Sequence, residues 1–187
     1  MNASPQSGQA PMELVLVTGG VRSGKSRWAQ DTAHEWGGDD VTVVATAEAI
    51  DDEMERRIDD HRRFRPDAWE TLEAPTRAGD AILEASNEVV VLDCLTVLTG
   101  AAIGYAGAKT EEETLAAMAA EVDGILEARS QRGGRLIVVT NEVGWSVHPP
   151  TPIGRWYQDG LGAANQRLAR AADQVILLIS GVEMRIK

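Results

Sequence analysis

A glycine-rich turn set between an apolar run and a Lys-Ser pair constrains this chain more than any other feature. Leu14-Val15-Leu16-Val17 reads as a buried strand, Gly19 to Gly24 as the turn, and Lys25-Ser26 as the start of a helix. Gly19-Gly20-Val21-Arg22-Ser23-Gly24-Lys25-Ser26 fits the spacing G-x-x-x-x-G-K-[ST] of a phosphate-binding loop. Gly19 and Gly24 permit backbone angles that a β-carbon forbids, so successive N–H groups can turn inward around an anion. Lys25 brings a positive charge to the β- and γ-phosphates, Ser26 a hydroxyl for Mg²⁺, and the new helix aims the positive end of its dipole at the same place. The stretch reads as a nucleoside-triphosphate site.

The remaining elements follow from hydrophobic period and from punctuation by glycine and proline. Ser26 to Trp36 has the period of a helix that stops at Gly37-Gly38, and Val41 to Ala45 is a second strand leading into Thr46-Ala47. Asp51 to Arg65 is charged and helical, with Ile50, Met54 and Ile58 on one face and Asp51 or Asp52 as cap. Glu70 and Glu73 fall in a short segment after Pro66, and Thr76 to Ser86 reads as a helix before the strand Val89 to Asp93. Gly100 to Lys109 is expected to be loose. Thr110 and Glu113 form a capping box for a long helix with a stripe of Leu115, Met118, Val122, Ile125 and Leu126, closed by Gly133-Gly134. Leu136 to Thr140 is a strand, Trp145 to Pro152 an irregular loop, Ile153 to Ala172 the last helix and Gln174 to Ser180 the closing strand. Strands alternating with helices predict an α/β fold: a doubly wound, mainly parallel sheet of the P-loop NTPase, RecA-like type, with helices on both faces.

A chain of 187 residues, 43% of them hydrophobic, suits one catalytic domain over residues 12–187, preceded by a polar tail over 1–11 that is expected to be disordered. The net charge of −11 opposes association with nucleic acid or an anionic membrane surface. No apolar run approaches the roughly 18 residues of a membrane span. The one cysteine, Cys94, lies in an apolar run and suits a packing role in a reducing cytoplasm.

Two further positions carry chemistry. His61 continues the Met54/Ile58 face, where a histidine is commonly a packing residue, yet Arg62, Arg63 and Arg65 cluster beside it. Guanidiniums next to an imidazole make a place where a phosphate is held while a ring nitrogen attacks it; pairing of the arginines with Asp59, Asp60 and Asp67 is the alternative. Asp93, ending the apolar run Val89 to Leu92, has the position of an acidic residue that holds Mg²⁺ in phosphate-loop enzymes. His148, isolated in its loop, is expected to be solvated. These residues alone also leave open a monofunctional small-molecule kinase or a nucleotide switch.

The run Val17 to Ser26, with Ala45-Thr46-Ala47, Asp51 to Met54, Arg57-Ile58, His61, Arg65-Pro66, Trp69 and Glu73, resembles the bifunctional adenosylcobinamide kinase/adenosylcobinamide-phosphate guanylyltransferase family of cobalamin synthesis. So do Asn141 to Gly144, Pro149, Arg155, Asp159, Gly162, Asn165 to Leu168 and the ending from Ala172 to Lys187. The resemblance implies phosphorylation of the aminopropanol hydroxyl of adenosylcobinamide by ATP or GTP, followed by transfer of GMP from GTP to that phosphate. It implies that His61 accepts GMP and that Lys25 assists both steps. It also implies that GTP is contacted by Gly19 to Ser26, Ala45, Thr46, Ala47, Arg62, Arg63, Phe64, Arg65, Glu73 and Asp93, with Glu73 on the guanine N–H groups. The expected metal donors are Ser26 and Asp93, the partners a corrinoid and nucleotides, and the assembly a homo-oligomer such as a trimer.

Overall fold

The computed structural model describes residues 10–49, 51–63 and 65–187, and the side chains of all of these except Glu53, Arg57, Asp59, Asp60 and His61. The expected tail therefore lies almost wholly outside the described residues; Ala10 and Pro11 are exposed, and the chain enters the core at Met12, which is fully buried.

The strands are β1 (Glu13–Gly19), β2 (Val41–Ala45), β3 (Glu70–Glu73), β4 (Val89–Asp93), β5 (Arg135–Val139), β6 (Gln174–Ile179) and β7 (Val182–Arg185). The helices are α1 (Lys25–Gly37), α2 (Asp52–Arg62), α3 (Ala78–Glu84), α4 (Leu95–Ala106), α5 (Glu111–Gln131) and α6 (Pro152–Ala171). Among the described residues these strands form one sheet in the order β3-β2-β4-β5-β1-β6-β7, parallel except for the β6–β7 pair. The α/β, mainly parallel architecture agrees with the sequence pattern.

Strands buried on both faces read as continuous apolar runs, and their side chains sort alternately to two cores. Leu14, Leu16, Val90, Leu92, Leu136 and Val138 pack under α3, α4, α5 and α6, with Ile82, Leu98, Val122, Ile125 and Leu161 among the partners. Val15, Val17, Val41, Val43, Val91, Ile137 and Val139 pack on the other face against Ala29 and Ala33 of α1, flanked by Trp28, Trp36 and Trp69. At about 25 cal/mol per Å² of apolar surface, a fully buried Leu or Ile contributes about 1.5–3 kcal/mol, so these two layers dominate stability.

Three expectations are corrected. Gly100 to Lys109 is not loose: α4 runs to Ala106, because Leu95, Leu98, Ala102 and Ile103 bury one face while Gly100 and Gly104 meet no neighbour on the other. Burial outweighs the loss of about 1 kcal/mol that each helical glycine brings. Glu70 to Glu73 forms a strand, β3, pairing parallel with β2; it lacks an apolar run because it is a four-residue edge strand with Glu at both ends. The alternation of strand and helix also breaks, since α4 leads directly to α5 and β6 turns back into antiparallel β7 through Ser180-Gly181. The capping box at α5 is present in a shifted form: Thr110 Oγ1 accepts from Glu113 N at 3.2 Å, while Glu113 Oε2 accepts from Lys109 N at 2.6 Å.

Candidate active site

Parallel register places Glu73, Ala45, Asp93 and Val139 side by side: Ala45 pairs with Glu73 and Asp93, and Asp93 with Val139. Val17 pairs with Val139, so the loop that leaves β1 emerges over the same row. This carboxyl edge is where open α/β sheets hold ligands. Above it lies a cavity of about 620 Å³ lined by Val21 to Ser26, Ala45, Ala47, Met54, Ile58, Arg62, Arg65, Glu73, Asp93, Thr96 and Asn141, among others.

The loop from Gly19 to Gly24 has the shape its sequence demands. Gly24 stands at φ 98° and Arg22 at φ 57°, both in the left-handed region. A β-carbon on Gly19 would sit 2.3 Å from the carbonyl oxygen of Leu178, so the neighbouring strand admits glycine there and no larger residue. Lys25 Nζ folds back on the loop, donating to Gly20 O at 2.6 Å, and burial lowers its pKa against the opposing pull of Asp93. An ammonium buried beside loop carbonyls is available to an entering phosphate, which is the stronger acceptor.

Opposite the loop stands α2, capped by Asp51, whose Oδ1 accepts from Met54 N at 2.7 Å. Met54 and Ile58, the expected apolar face, line the cavity; Ile50 lies outside the described residues. Two of the arginines reach across to the row of strand ends. Arg62 Nη2 lies 2.9 Å from Glu73 Oε1, and Arg65 Nη2 lies 3.6 Å from Asp93 Oδ2. The first pair is exposed; the second is buried, at 9% and 7% side-chain exposure, and burial lowers the Arg65 pKa against the charge of Asp93. Asp93 Oδ1 in turn accepts from Ser26 Oγ at 3.4 Å. Ser26 and Asp93 thus bring hard oxygens from two elements to one place, the donor type that suits Mg²⁺, which commonly takes few protein ligands and completes its shell with water and phosphate.

Of the residues expected at the site, Val21, Arg22, Ser23, Gly24, Lys25, Ser26, Ala45, Ala47, Arg62, Arg65, Glu73 and Asp93 line the cavity. Thr46 does not: it is fully buried, and its hydroxyl donates to Cys94 O at 2.8 Å and accepts from Cys94 N at 2.9 Å, fixing β2 to β4. Arg63 is exposed and lies outside the lining, Phe64 is outside the described residues, and His61 is placed on α2 by its backbone. Gly19 and Gly20 act through loop shape and through the hold on Lys25. His148 is exposed, as expected of a loop histidine. Cys94, half-buried, also lines the cavity, and burial with Asp93 pushes its thiol up to about 11.

One supporting network escaped the sequence reading. Asn141 N donates to Thr96 Oγ1 at 3.0 Å, and Tyr157 OH donates to Thr96 O at 3.0 Å. Asn165 Nδ2 donates to Asn141 O at 3.0 Å, and its Oδ1 accepts from the buried Thr140 hydroxyl at 2.7 Å. These contacts lock the ends of α4 and β5 to α6. The signal for them was a polar pair, Tyr157 and Asn165, on the inner face of an amphipathic helix, where a buried polar group needs partners.

The sequence profile of the family described as cobinamide kinase / cobinamide phosphate guanyltransferase matches residues 15–186. The bifunctional adenosylcobalamin biosynthesis protein CobU of Escherichia coli (strain K12) is 37% identical over 183 residues, covering 93% of this chain and 99% of that protein. The CobP protein of the same description from Pseudomonas aeruginosa is 36% identical over 176 residues, covering 92% and 96%. Among solved structures, the flagellar accessory protein FlaH from Methanocaldococcus jannaschii aligns at TM-score 0.46 and 12% identity, covering 97% of this chain and 81% of that one.

Proposed function

The chain belongs to the cobinamide kinase/cobinamide phosphate guanyltransferase family, and on that premise we propose that its single phosphate loop serves both reactions while α2 supplies the group that distinguishes them. The enzyme is a transferase of cobalamin biosynthesis that uses nucleoside triphosphates. In the kinase step the γ-phosphoryl of ATP or GTP passes to the aminopropanol hydroxyl of adenosylcobinamide. Lys25, the loop N–H groups and Arg65 take up the charge on the transferring group. Ser26 and Asp93 would hold Mg²⁺, which when bound neutralises charge on the phosphates.

In the second step a neutral imidazole nitrogen of His61 attacks the α-phosphorus of GTP. A P–N bond forms as the bond to pyrophosphate breaks, and a phosphate oxygen of the corrinoid then attacks the same phosphorus and returns the electron pair to nitrogen. Arg62 and Glu73 line the same cavity as Lys25, and Glu73 is the proposed acceptor for the guanine N–H groups. The observation that carries the reading is the shared cavity: α2, the helix that holds His61, forms one wall through Met54, Ile58 and Arg62, and the phosphate loop forms the other. Residues 12–187 are proposed to act as one catalytic unit, assembled as a homo-oligomer.

The test is labelling. Protein mixed with GTP and Mg²⁺ is expected to carry label from the α-phosphate and none from the γ-phosphate, with the bond lost in acid and stable in alkali. His61→Ala is expected to lose the label and the second reaction while keeping a substantial share of kinase turnover; His34→Ala and His148→Ala serve as controls. An acid-stable label, or labelling of His61→Ala, would sink the assignment.

A further inference from the structure

We propose that Arg65 is a displaceable counter-ion: it occupies the carboxylate of Asp93 until nucleotide and divalent cation enter, then exchanges that carboxylate for phosphate oxygens. The proposal rests on the reading of Ser26 and Asp93 as the metal donors. Asp93 offers one oxygen to Ser26 and the other to Arg65, at 3.4 and 3.6 Å. The guanidinium therefore stands on the same carboxylate that the divalent ion would use. Both side chains are more than nine-tenths buried, where solvent screens poorly, so a guanidinium and a divalent ion on one carboxylate repel strongly. The two cations are alternatives rather than companions.

Two observations mark the present pairing as the weaker of Arg65's two options. At 3.6 Å the contact is longer than the roughly 2.7–2.9 Å of a charge-assisted hydrogen bond. Among the described residues Arg65 Nε is buried with no hydrogen-bond partner, although a guanidinium carries five donors and an unpaired buried donor is destabilising. Arg65 lines the cavity together with Lys25 and Ser26, so a phosphate there brings the acceptors that this fork lacks. The exchange bears on α2 as well. Arg65 follows that helix by three residues and its backbone N–H donates to Arg62 O at 3.0 Å, so moving the guanidinium moves the C-terminal end of the helix that holds residue 61.

Binding of manganese chloride to the full chain, followed by the free Mn²⁺ signal in electron paramagnetic resonance, tests this without any turnover. Without nucleotide, Arg65→Gln is expected to bind Mn²⁺ at least fivefold tighter than wild type, since the competing charge is gone. The same variant is expected to bind metal-free GTP at least fivefold more weakly. A nucleotide-free gain in Mn²⁺ affinity below fivefold, or a loss, overturns the exchange and leaves Arg65 as a static prop. Wild-type protein labelled with ¹⁵N-arginine gives a measure that needs no folded glutamine variant: the Arg65 Nε–H resonance, assigned by its absence in Arg65→Lys, is expected to shift and gain exchange protection on addition of GTP with Mg²⁺. An unmoved resonance overturns the proposal. Asp93→Asn separates the two layers of argument: if it binds Mn²⁺ as wild type does, the assignment of the metal donors fails, whatever Arg65 does.

Discussion

The loop between β1 and α1 is bound into the sheet on several sides, whereas the described side chains of the segment that faces it across the cavity, between Ala47 and Arg65, are exposed or half-buried and meet the rest of the chain through polar pairs. On the first wall, Gly181 N donates to Ser23 O at 2.9 Å, Glu142 N to Gly19 O at 3.1 Å and Thr18 Oγ1 to Glu142 Oε1 at 2.9 Å. The strand β6 presses against Gly19 from the side. On the second wall the contacts include Tyr105 OH on the Glu48 carboxylate at 2.8 Å, Arg62 on Glu73 and Arg65 on Asp93. None of the described α2 side chains is fully buried. The loop wall is thus held in place by the chain's own contacts, which is what electrostatic preorganisation requires. On the α2 wall the exposed Arg62–Glu73 pair contributes little, and the buried Arg65–Asp93 pair is one that a phosphate can replace.

If that contrast is right, damage to the first wall abolishes chemistry and damage to the second changes binding. Lys25→Ala is expected to lower the rate of both reactions by about a hundredfold or more, as removal of a charged contact to a transferring group removes several kcal/mol of transition-state stabilisation. Separate assays of kinase and guanylyl transfer check this, and a variant that kept one reaction at near wild-type rate would break the single-loop picture. Arg62→Ala is expected to raise the Michaelis constant for GTP about tenfold, the worth of one charged hydrogen bond. Its stability should change by less than about 1 kcal/mol, because the exposed pair with Glu73 contributes little to folding.

The floor that joins the two walls has its own signature in pH. Burial pushes Tyr157 up to about 12 from an ordinary value of 10.0, and its hydroxyl donates to Thr96. The folded state keeps this proton where the unfolded chain gives it up, so the contribution is complete below pH 10 and is lost as pH rises toward 12. Cys94, raised from 9.0 to about 11, adds a fall of the same sign beginning near pH 9. Tyr157→Phe is expected to flatten the alkaline limb above pH 10 by on the order of 2 kcal/mol, and to cost about 1 kcal/mol at neutral pH for the lost hydrogen bond. Urea midpoints measured at pH 7, 10 and 11 decide it. The smallest effect is expected from deleting residues 1–11. Met12 N already donates to Arg129 O and the side chain is buried, so the new terminus keeps its partner. A drop of more than a few degrees in Tm would show that the tail packs.

Much of this protein was legible in the chain itself. The phosphate loop, the apolar strands, the Thr110 cap and the Asp51 cap are local matters, each decided by backbone freedom, period or a side chain within three or four residues of its target. What the sequence left open depends on which strands become neighbours. Glu70 to Glu73 becomes a strand only because β2 offers an unpaired edge, and Leu95 to Ala106 becomes a helix through Gly100 and Gly104 because one face finds α5 and α6 to cover it. Likewise, Arg62 and Arg65 meet Glu73 and Asp93, carboxylates distant in sequence that parallel register delivers to one sheet edge. Charge pairing falls off with distance in space and not along the chain, so only the order of the strands could decide that Arg65 would face the carboxylate beside Ser26.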